Sequence, residues 1–155
     1  MHFYIDSVEE TQALASKMAP WLKPGMVILL DGPLGSGKTT FTQKVGKELG
    51  VKRAIKSPTY TIVKEYPLPN FKLIHIDAYR LEEGGADTID FDSYLNEPSI
   101  IFIEWSEYLD DYLPLNRLRI KFVPQTDPNQ REIILTVEGE STEQYQELLE
   151  KMEEI

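Results

Sequence analysis

The sequence has no cysteine, and this absence excludes a disulfide framework, a Cys-ligated zinc site and thiol catalysis. It also has no apolar run near the roughly 18 residues that a bilayer-spanning helix needs, and residues 1–6 form neither a basic nor an apolar signal region. Basic residues are few, because 16 Lys and Arg oppose 26 Asp and Glu for a net charge of −10. That balance argues against a general nucleic-acid coat protein, which would be basic. We therefore expect a soluble protein of the cytoplasm.

The residues that are present are typical of one globular domain. The chain has 155 residues, of which 41% are apolar and 27% charged, and this predicts a single domain over 1–155. The charge is uneven, since residues 38–72 carry eight bases against two acids and residues 73–111 carry eleven acids against Arg80 alone. Two interpretations stay open: faces that suit partners, or ordinary solvated surfaces whose fields largely cancel.

Hydrophobic periodicity predicts an α/β domain with a mixed sheet. Ser7 has capping-box spacing to Glu10 at the start of an amphipathic helix that should run to the Pro24-Gly25 pair. The other predicted elements are strands at 26–30, 59–66, 71–77, 100–103, 118–123 and 132–137, helices at 37–49 and from 141, and short helices around 90–95 and 106–113. The pair 118–123 and 132–137 should be antiparallel.

Residues 32–39, Gly-Pro-Leu-Gly-Ser-Gly-Lys-Thr, fit the phosphate-loop pattern G-x-x-x-x-G-K-[ST] at every fixed position. The glycines let consecutive backbone N–H groups point at phosphate oxygens, and the following helix offers its positive end to the same anion. Lys38 would reach the β- and γ-phosphates, and the Thr39 hydroxyl would ligate Mg²⁺. A chance Gly-rich turn is disfavoured, because the motif follows an apolar run and opens a helix. The residues predicted to bind nucleotide here are Gly35, Ser36, Gly37, Lys38, Thr39 and Thr40.

A phosphate loop also needs an acid at the end of a neighbouring strand to hold Mg²⁺. Glu104 and Asp77 each end a predicted strand, and the strand before Glu104 is the more purely apolar. Glu104 is therefore the stronger candidate, while Asp77 stays open as an alternative metal ligand. His75 alternates with Ile74 and Ile76, so we expect a structural histidine on the opposite face from them.

The segment Ser57-Pro58-Thr59-Tyr60-Thr61 places hydroxyls around a rigid proline after several bases. It is typical of a switch that senses the γ-phosphate, with Ser57, Thr59 and Thr61 as the responsive groups. An ordinary loop of turn-forming residues is the alternative.

Three further motifs follow the phosphate loop (32–40) in order: Ser-Pro-Thr-Tyr-Thr-Ile-Val (57–63), His-Ile-Asp-Ala-Tyr-Arg-Leu (75–81) and Ile-Glu-Trp-Ser-Glu (103–107). Together they closely resemble the TsaE family, small bacterial ATPases required for the threonylcarbamoyladenosine modification of tRNA. The resemblance implies a P-loop NTPase-like three-layer α/β domain with a mixed central sheet. It also implies slow, Mg²⁺-dependent, partner-stimulated ATP hydrolysis with TsaD and TsaB, which supports turnover of the complex rather than the transfer itself. tRNA would be met indirectly, through that complex.

The resemblance also assigns roles to residues. Lys38, Asp77 and Glu104 would serve catalysis, with Thr39 and one or both acids at the metal. Thr11 and Arg131 fall where the family tends to contact the nucleotide. The residues left for switching or partner contact are Ser57, Thr59, Thr61, Tyr79, Arg80 and Trp105.

Two other functions remain as alternatives. A small P-loop kinase would usually carry an Arg-rich lid, whereas residues 73–111 hold a single Arg. A GTPase-like switch would usually carry an Asn-Lys-x-Asp segment, and this sequence has none.

Overall fold

Seven strands form one mixed sheet in the computed structural model, which describes residues 1–52, 55, 63–81, 90–140 and 143–153. The strand order is β1-β7-β6-β2-β5-β4-β3. The strands are β1 (His2–Ile5), β2 (Val27–Asp31), β3 (Val63–Pro67), β4 (Lys72–Asp77), β5 (Ser99–Glu104), β6 (Arg117–Pro124) and β7 (Arg131–Glu138). The helices are α1 (Val8–Met18), α2 (Lys38–Leu49), α3 (Phe91–Asn96) and α4 (Glu143–Glu153), with 3₁₀ segments at Ala19–Trp21, Tyr79–Leu81 and Ser106–Tyr112.

The centre of the sheet is parallel and its margins are antiparallel. Strand β2 pairs in parallel with β5 and β6, and β4 pairs in parallel with β5. The pairs β1–β7, β6–β7 and β3–β4 are antiparallel. The predicted α/β class with a mixed sheet is confirmed. Because β2, β4 and β5 run the same way, their carboxyl ends meet at one edge, where ligands bind in open α/β sheets.

Apolar side chains cover both faces of this sheet, so the molecule has three layers. On one face, a single apolar cluster includes Phe102 of β5, Phe41 of α2, Leu148 of α4 and Leu14 of α1. The other face carries a second cluster, in which Ile74, Ile101 and Ile103 meet Phe91 of α3 and Leu109 of the last 3₁₀ segment. All six residues of β5 are buried, as expected of a central parallel strand.

The ends of helices mostly follow the predicted caps. Ser7 accepts a hydrogen bond from the Glu10 backbone N–H (3.2 Å), and Gly37 and Gly50 flank α2 with φ of 107° and 106°. The first helix, however, does not run to the Pro24-Gly25 pair. It ends at Met18 and tightens into a 3₁₀ segment containing Pro20, because proline has no N–H for an α-helical bond.

Strand β1 was not predicted. Its four residues pair antiparallel with β7, and the amino group of Met1 donates to the Leu135 carbonyl (3.2 Å). The predicted strand 59–66 is described only from Val63 onward. The predicted helix 106–113 is a 3₁₀ segment, Ser106–Tyr112. Among the described helices, none is long and apolar enough to cross a bilayer.

Candidate functional site

The loop between β2 and α2 wraps over the start of the helix. Gly32 is confined there, since a Cβ at this position would lie 2.7 Å from the Ser36 hydroxyl and 2.9 Å from the Phe122 carbonyl. Gly37 adopts φ of 107° as it enters α2, a conformation that glycine takes readily. The first N–H groups of α2 have no partner within the helix and face the loop, which is the geometry that binds anions.

Ser36 adds a donor to this loop. Its hydroxyl oxygen is buried and has no hydrogen-bond partner among the described residues. A buried hydroxyl without a partner is costly, and a phosphate oxygen in the loop would supply one.

Lys38 is buried at the first position of α2, with 4% of its surface exposed. Its ammonium group donates to the Gly32 carbonyl (2.7 Å) and lies 3.9 Å from Oε1 of Glu104. Burial lowers the pKa of Lys38, while the charges of Glu104 and Asp77 oppose that shift. Lys38 therefore places a cation beside two acids at the loop.

Asp77 and Glu104 sit side by side, because they are register partners at the carboxyl ends of β4 and β5. Glu104 is 4% exposed. Asp77 is partly exposed and accepts a hydrogen bond from the Tyr79 backbone N–H (3.0 Å). Burial raises the pKa of Asp77, and the Tyr79 bond opposes the shift. The structure thus places both predicted acids next to Lys38.

His75 belongs to this cluster, although its sequence position indicated only a structural role. It is fully buried, and its Nε2 lies 2.6 Å from Oε2 of Glu104. The predicted alternation is confirmed, since Ile74 and Ile76 pack on the opposite face. The signal that could have revealed the contact is the spacing to Asp77, because residues two apart in a strand share a face.

Trp105 follows Glu104 with φ of 59°, the left-handed region that bulky residues rarely enter. This conformation turns the chain sharply after β5. The indole ring centre lies 4.3 Å from the Lys38 ammonium and 5.0 Å from the Tyr79 ring centre. A cavity of about 300 Å³ adjoins the ring; it is lined by Asp31, Gly32, Pro33, Lys38, Trp105 and Glu107.

A comparison with protein-family models gives a match over residues 5–133 to the family described as "Threonylcarbamoyl adenosine biosynthesis protein TsaE". The chain belongs to the TsaE family. It is 38% identical over 147 residues to the TsaE protein of Bacillus subtilis, covering 95% of this chain and 92% of that one. It is 43% identical over 105 residues to the TsaE protein of Aquifex aeolicus, covering 66% and 74% of the two chains.

The fold agrees with this membership. The crystal structure of Bacillus subtilis YdiB superposes with a TM-score of 0.83 and 34% identity, covering 98% of this chain and 93% of that one. The resemblance to the TsaE family is therefore confirmed, together with its α/β fold.

The two residues that the TsaE resemblance added to the nucleotide site lie in different surroundings. Arg131, at the start of β7, donates from Nη1 to the Gly35 carbonyl (3.4 Å), so it contacts the loop. Thr11 is buried in α1, and its hydroxyl donates to the Ser7 carbonyl (3.4 Å). That bond is internal to the helix and does not link Thr11 to the loop.

The residues predicted for switching or partner contact are only partly described. Tyr79 is 51% exposed and packs against Trp105, at the rim of the site. Arg80 is described in its backbone alone, within the 3₁₀ segment Tyr79–Leu81. Ser57, Thr59 and Thr61 lie outside the described residues.

The oxygen donors near the loop include the Thr39 hydroxyl, in the first turn of α2, and the carboxylates of Asp77 and Glu104. In the described part of the chain, no three His, Asp or Glu side chains are grouped closely enough to hold a metal by themselves. An all-oxygen set of few protein ligands suits Mg²⁺, which is usually completed by water and substrate phosphates. It would not suit zinc, which prefers nitrogen and sulfur.

Proposed function

We propose that this protein binds Mg²⁺-ATP at the phosphate loop, hydrolyses it slowly, and thereby supports the threonylcarbamoyladenosine modification of tRNA. The single observation that carries the proposal is the convergence of Lys38, Asp77 and Glu104 at the loop, with Lys38 and Glu104 3.9 Å apart. Membership of a family named for this biosynthesis supplies the pathway. A cytoplasmic location follows from that pathway.

The protein's own groups would act mainly by electrostatic stabilisation of the phosphates. The loop N–H groups and the Ser36 hydroxyl would bind phosphate oxygens. Lys38 would exchange the Gly32 carbonyl for the β- and γ-phosphates, since its present bond is a single neutral one. When bound through Thr39 and a carboxylate, Mg²⁺ neutralises charge on the phosphates.

The two acids suit different roles. Glu104 is almost fully buried between Lys38 and His75, which favours a fixed position beside the metal. Asp77 is more exposed, and burial raises its pKa toward the range where a carboxylate accepts a proton well. Asp77 would therefore orient the attacking water and accept its proton.

Slow intrinsic hydrolysis and stimulation by TsaD and TsaB complete the proposal. The described guanidinium that contacts the loop is that of Arg131, bonded to the backbone of Gly35 on one side and Pro128 on the other. Arg119 is engaged by Asp31 and Glu138. A transition-state cation would then come from Arg80 or from assembly, and an arginine finger typically raises turnover by about 10³- to 10⁵-fold. tRNA would meet this chain only through the complex.

The test is ATP hydrolysis and tRNA modification by Lys38→Ala and Glu104→Ala proteins, with and without TsaD, TsaB and tRNA. We expect each variant to lose about 10²-fold or more in turnover. Lys44→Ala is the matched control, because Lys44 lies on the same helix in a surface pair with Glu48 (3.3 Å). Full activity of both site variants would refute the site, and unchanged hydrolysis on adding the partners would refute partner stimulation.

A small-molecule kinase is a second candidate, favoured by the cavity of about 300 Å³ beside Lys38. That volume lies at the lower end for ligand pockets and could admit an acceptor. Label from the γ-phosphate would then appear on an acceptor rather than as inorganic phosphate.

A further inference from the structure

His75 holds one oxygen of the Glu104 carboxylate, and the phosphate-loop lysine faces the other. Nε2 of His75 lies 2.6 Å from Oε2, while Oε1 lies 3.9 Å from the Lys38 ammonium. His75 is 0% exposed and Glu104 is 4% exposed, so no bulk water competes for the bond between them. The His75 ring therefore sets the orientation of the Glu104 carboxylate.

The geometry of the sheet explains this contact. His75 pairs with Phe102 and Asp77 pairs with Glu104, so His75 and Glu104 are diagonal neighbours on adjacent parallel strands. The side chains of these two register pairs lie on the same face of the sheet. The ring spans that diagonal and ends at the carboxylate.

The second ring nitrogen of His75 indicates which of the two carries the proton. Nδ1 of His75 is buried and has no hydrogen-bond partner among the described residues. With Nδ1 unpaired, we assign the proton to Nε2, because a proton on Nδ1 would bury an unsatisfied N–H.

We propose that His75 is a positioning residue, which fixes the Glu104 carboxylate for nucleotide hydrolysis by donating from Nε2 to Oε2. This inference rests on the ATPase activity proposed above. Without that bond, the Glu104 carboxylate would keep, in the described part of the chain, only a long contact with Lys38 and could rotate about its side-chain torsions. Groups that orient a metal-side or catalytic carboxylate typically contribute about 10- to 100-fold in activity, because small displacements at such sites are costly.

The experiment compares His75→Gln with His75→Asn in single-turnover hydrolysis of Mg²⁺-ATP. The Gln amide nitrogen falls near the position of Nε2 and keeps the donor, whereas the Asn amide ends near Nδ1 and cannot reach Glu104. We expect the Gln variant to stay within about threefold of the parent turnover and the Asn variant to lose about 10- to 100-fold. Binding of a fluorescent ATP analogue should be unchanged in both, so the loss is in kcat rather than KM.

A second arm asks whether His75 acts through Glu104. In a Glu104→Gln background, His75→Asn should cause no further loss, since the group that it orients is already disabled. Thermal melts accompany every variant. If the Asn protein does not melt cooperatively, His75→Leu takes its place as the variant without a donor.

The outcomes separate this inference from the proposed function. The positioning role would be overturned if His75→Gln and the variant without a donor had equal turnover. It would also be overturned if the loss of a donor at His75 lowered turnover as much in the Glu104→Gln background as in the parent. Neither result would contradict the ATPase activity. Full activity of Glu104→Gln itself would instead overturn the proposed site.

Discussion

The ammonium group of Lys38 lies 4.3 Å from the centre of the Trp105 ring. Attraction between a cation and an aromatic face is strongest for tryptophan and grows as water is excluded. The same ammonium donates to the Gly32 carbonyl. Apart from its longer contact with Glu104 (3.9 Å), Lys38 is held by uncharged groups that a phosphate would outcompete, because its bonds to an anion are charge-assisted.

Tryptophan fluorescence should report this exchange. The chain has two tryptophans, and the other, Trp21, faces Lys151 rather than the phosphate loop. Mg²⁺-ATP should change the emission of a Trp21→Phe protein, because Lys38 moves away from the Trp105 ring. The Trp105→Phe protein should show no such change, and a persistent response there would contradict the movement.

Asp77→Asn should stabilise the protein while it impairs hydrolysis. Burial raises the folded-state pKa of Asp77 above its unfolded value, so the folded state holds the extra proton and stability falls as pH rises through that window. Asn removes the ionisation and keeps an oxygen that can accept from Tyr79. We expect the free energy of unfolding to rise by about 0.5 kcal/mol near pH 7. The effect is small because solvent screens this partly exposed group.

Melts of the parent and Asp77→Asn proteins across pH provide the measurement. The gain should vanish below the unfolded pKa of an aspartate, where both proteins are uncharged at this position. ATP turnover should fall by about 10²-fold or more, in line with loss of a proton acceptor. A variant that gains stability equally at all pH values would contradict the role of ionisation.

Gly32→Ala should both destabilise the fold and abolish nucleotide binding. Its Cβ would come within 2.9 Å of the Phe122 backbone carbonyl, which cannot move as a side chain would. Overpacking of this kind costs about 1–3 kcal/mol. Gly25→Ala is the control, since Gly25 also has a positive φ, 97°, but no neighbouring atom lies within 4 Å of the position that its Cβ would take. Chemical denaturation and nucleotide titration distinguish the two variants.

Arg119→Met should flatten the dependence of stability on acid pH. Arg119 contacts both Asp31 and Glu138, and its hydrogen bond lowers the pKa of Glu138. A lowered pKa contributes stability that is present above the unfolded value and is lost as pH falls through the folded one. The parent should therefore lose stability between about pH 5 and pH 3, and the variant should lose less of it over that range.

At neutral pH the same variant should be less stable by about 1–3 kcal/mol, because partly buried Asp31 loses its guanidinium partner and Glu138 is left with Arg117. Lys121→Met, on the same strand but with its side chain exposed, is the control. Parallel pH profiles for the parent and Arg119→Met would exclude the linkage.

The phosphate loop and its flanking strand and helix could be predicted because they depend on residues that are close together in the sequence. The run Val27–Asp31, the Gly-rich turn and the helix Lys38–Leu49 are contiguous, and their backbone geometry follows from apolar runs, glycine and caps. Strand β1 could not be predicted in the same way. Its four residues alternate weakly, and its place at the sheet edge depends on pairing with residues about 130 positions away.

The sequence by itself determined the phosphate loop, its lysine and two strand-terminal acids, since each depends on residues within a few positions of one another. Tertiary structure alone decided that Asp77 and Glu104 are neighbours, that His75 reaches Glu104, and that Trp105 covers Lys38. Those contacts depend on strand order and register. Register is set by the packing of both sheet faces, which involves the whole chain at once.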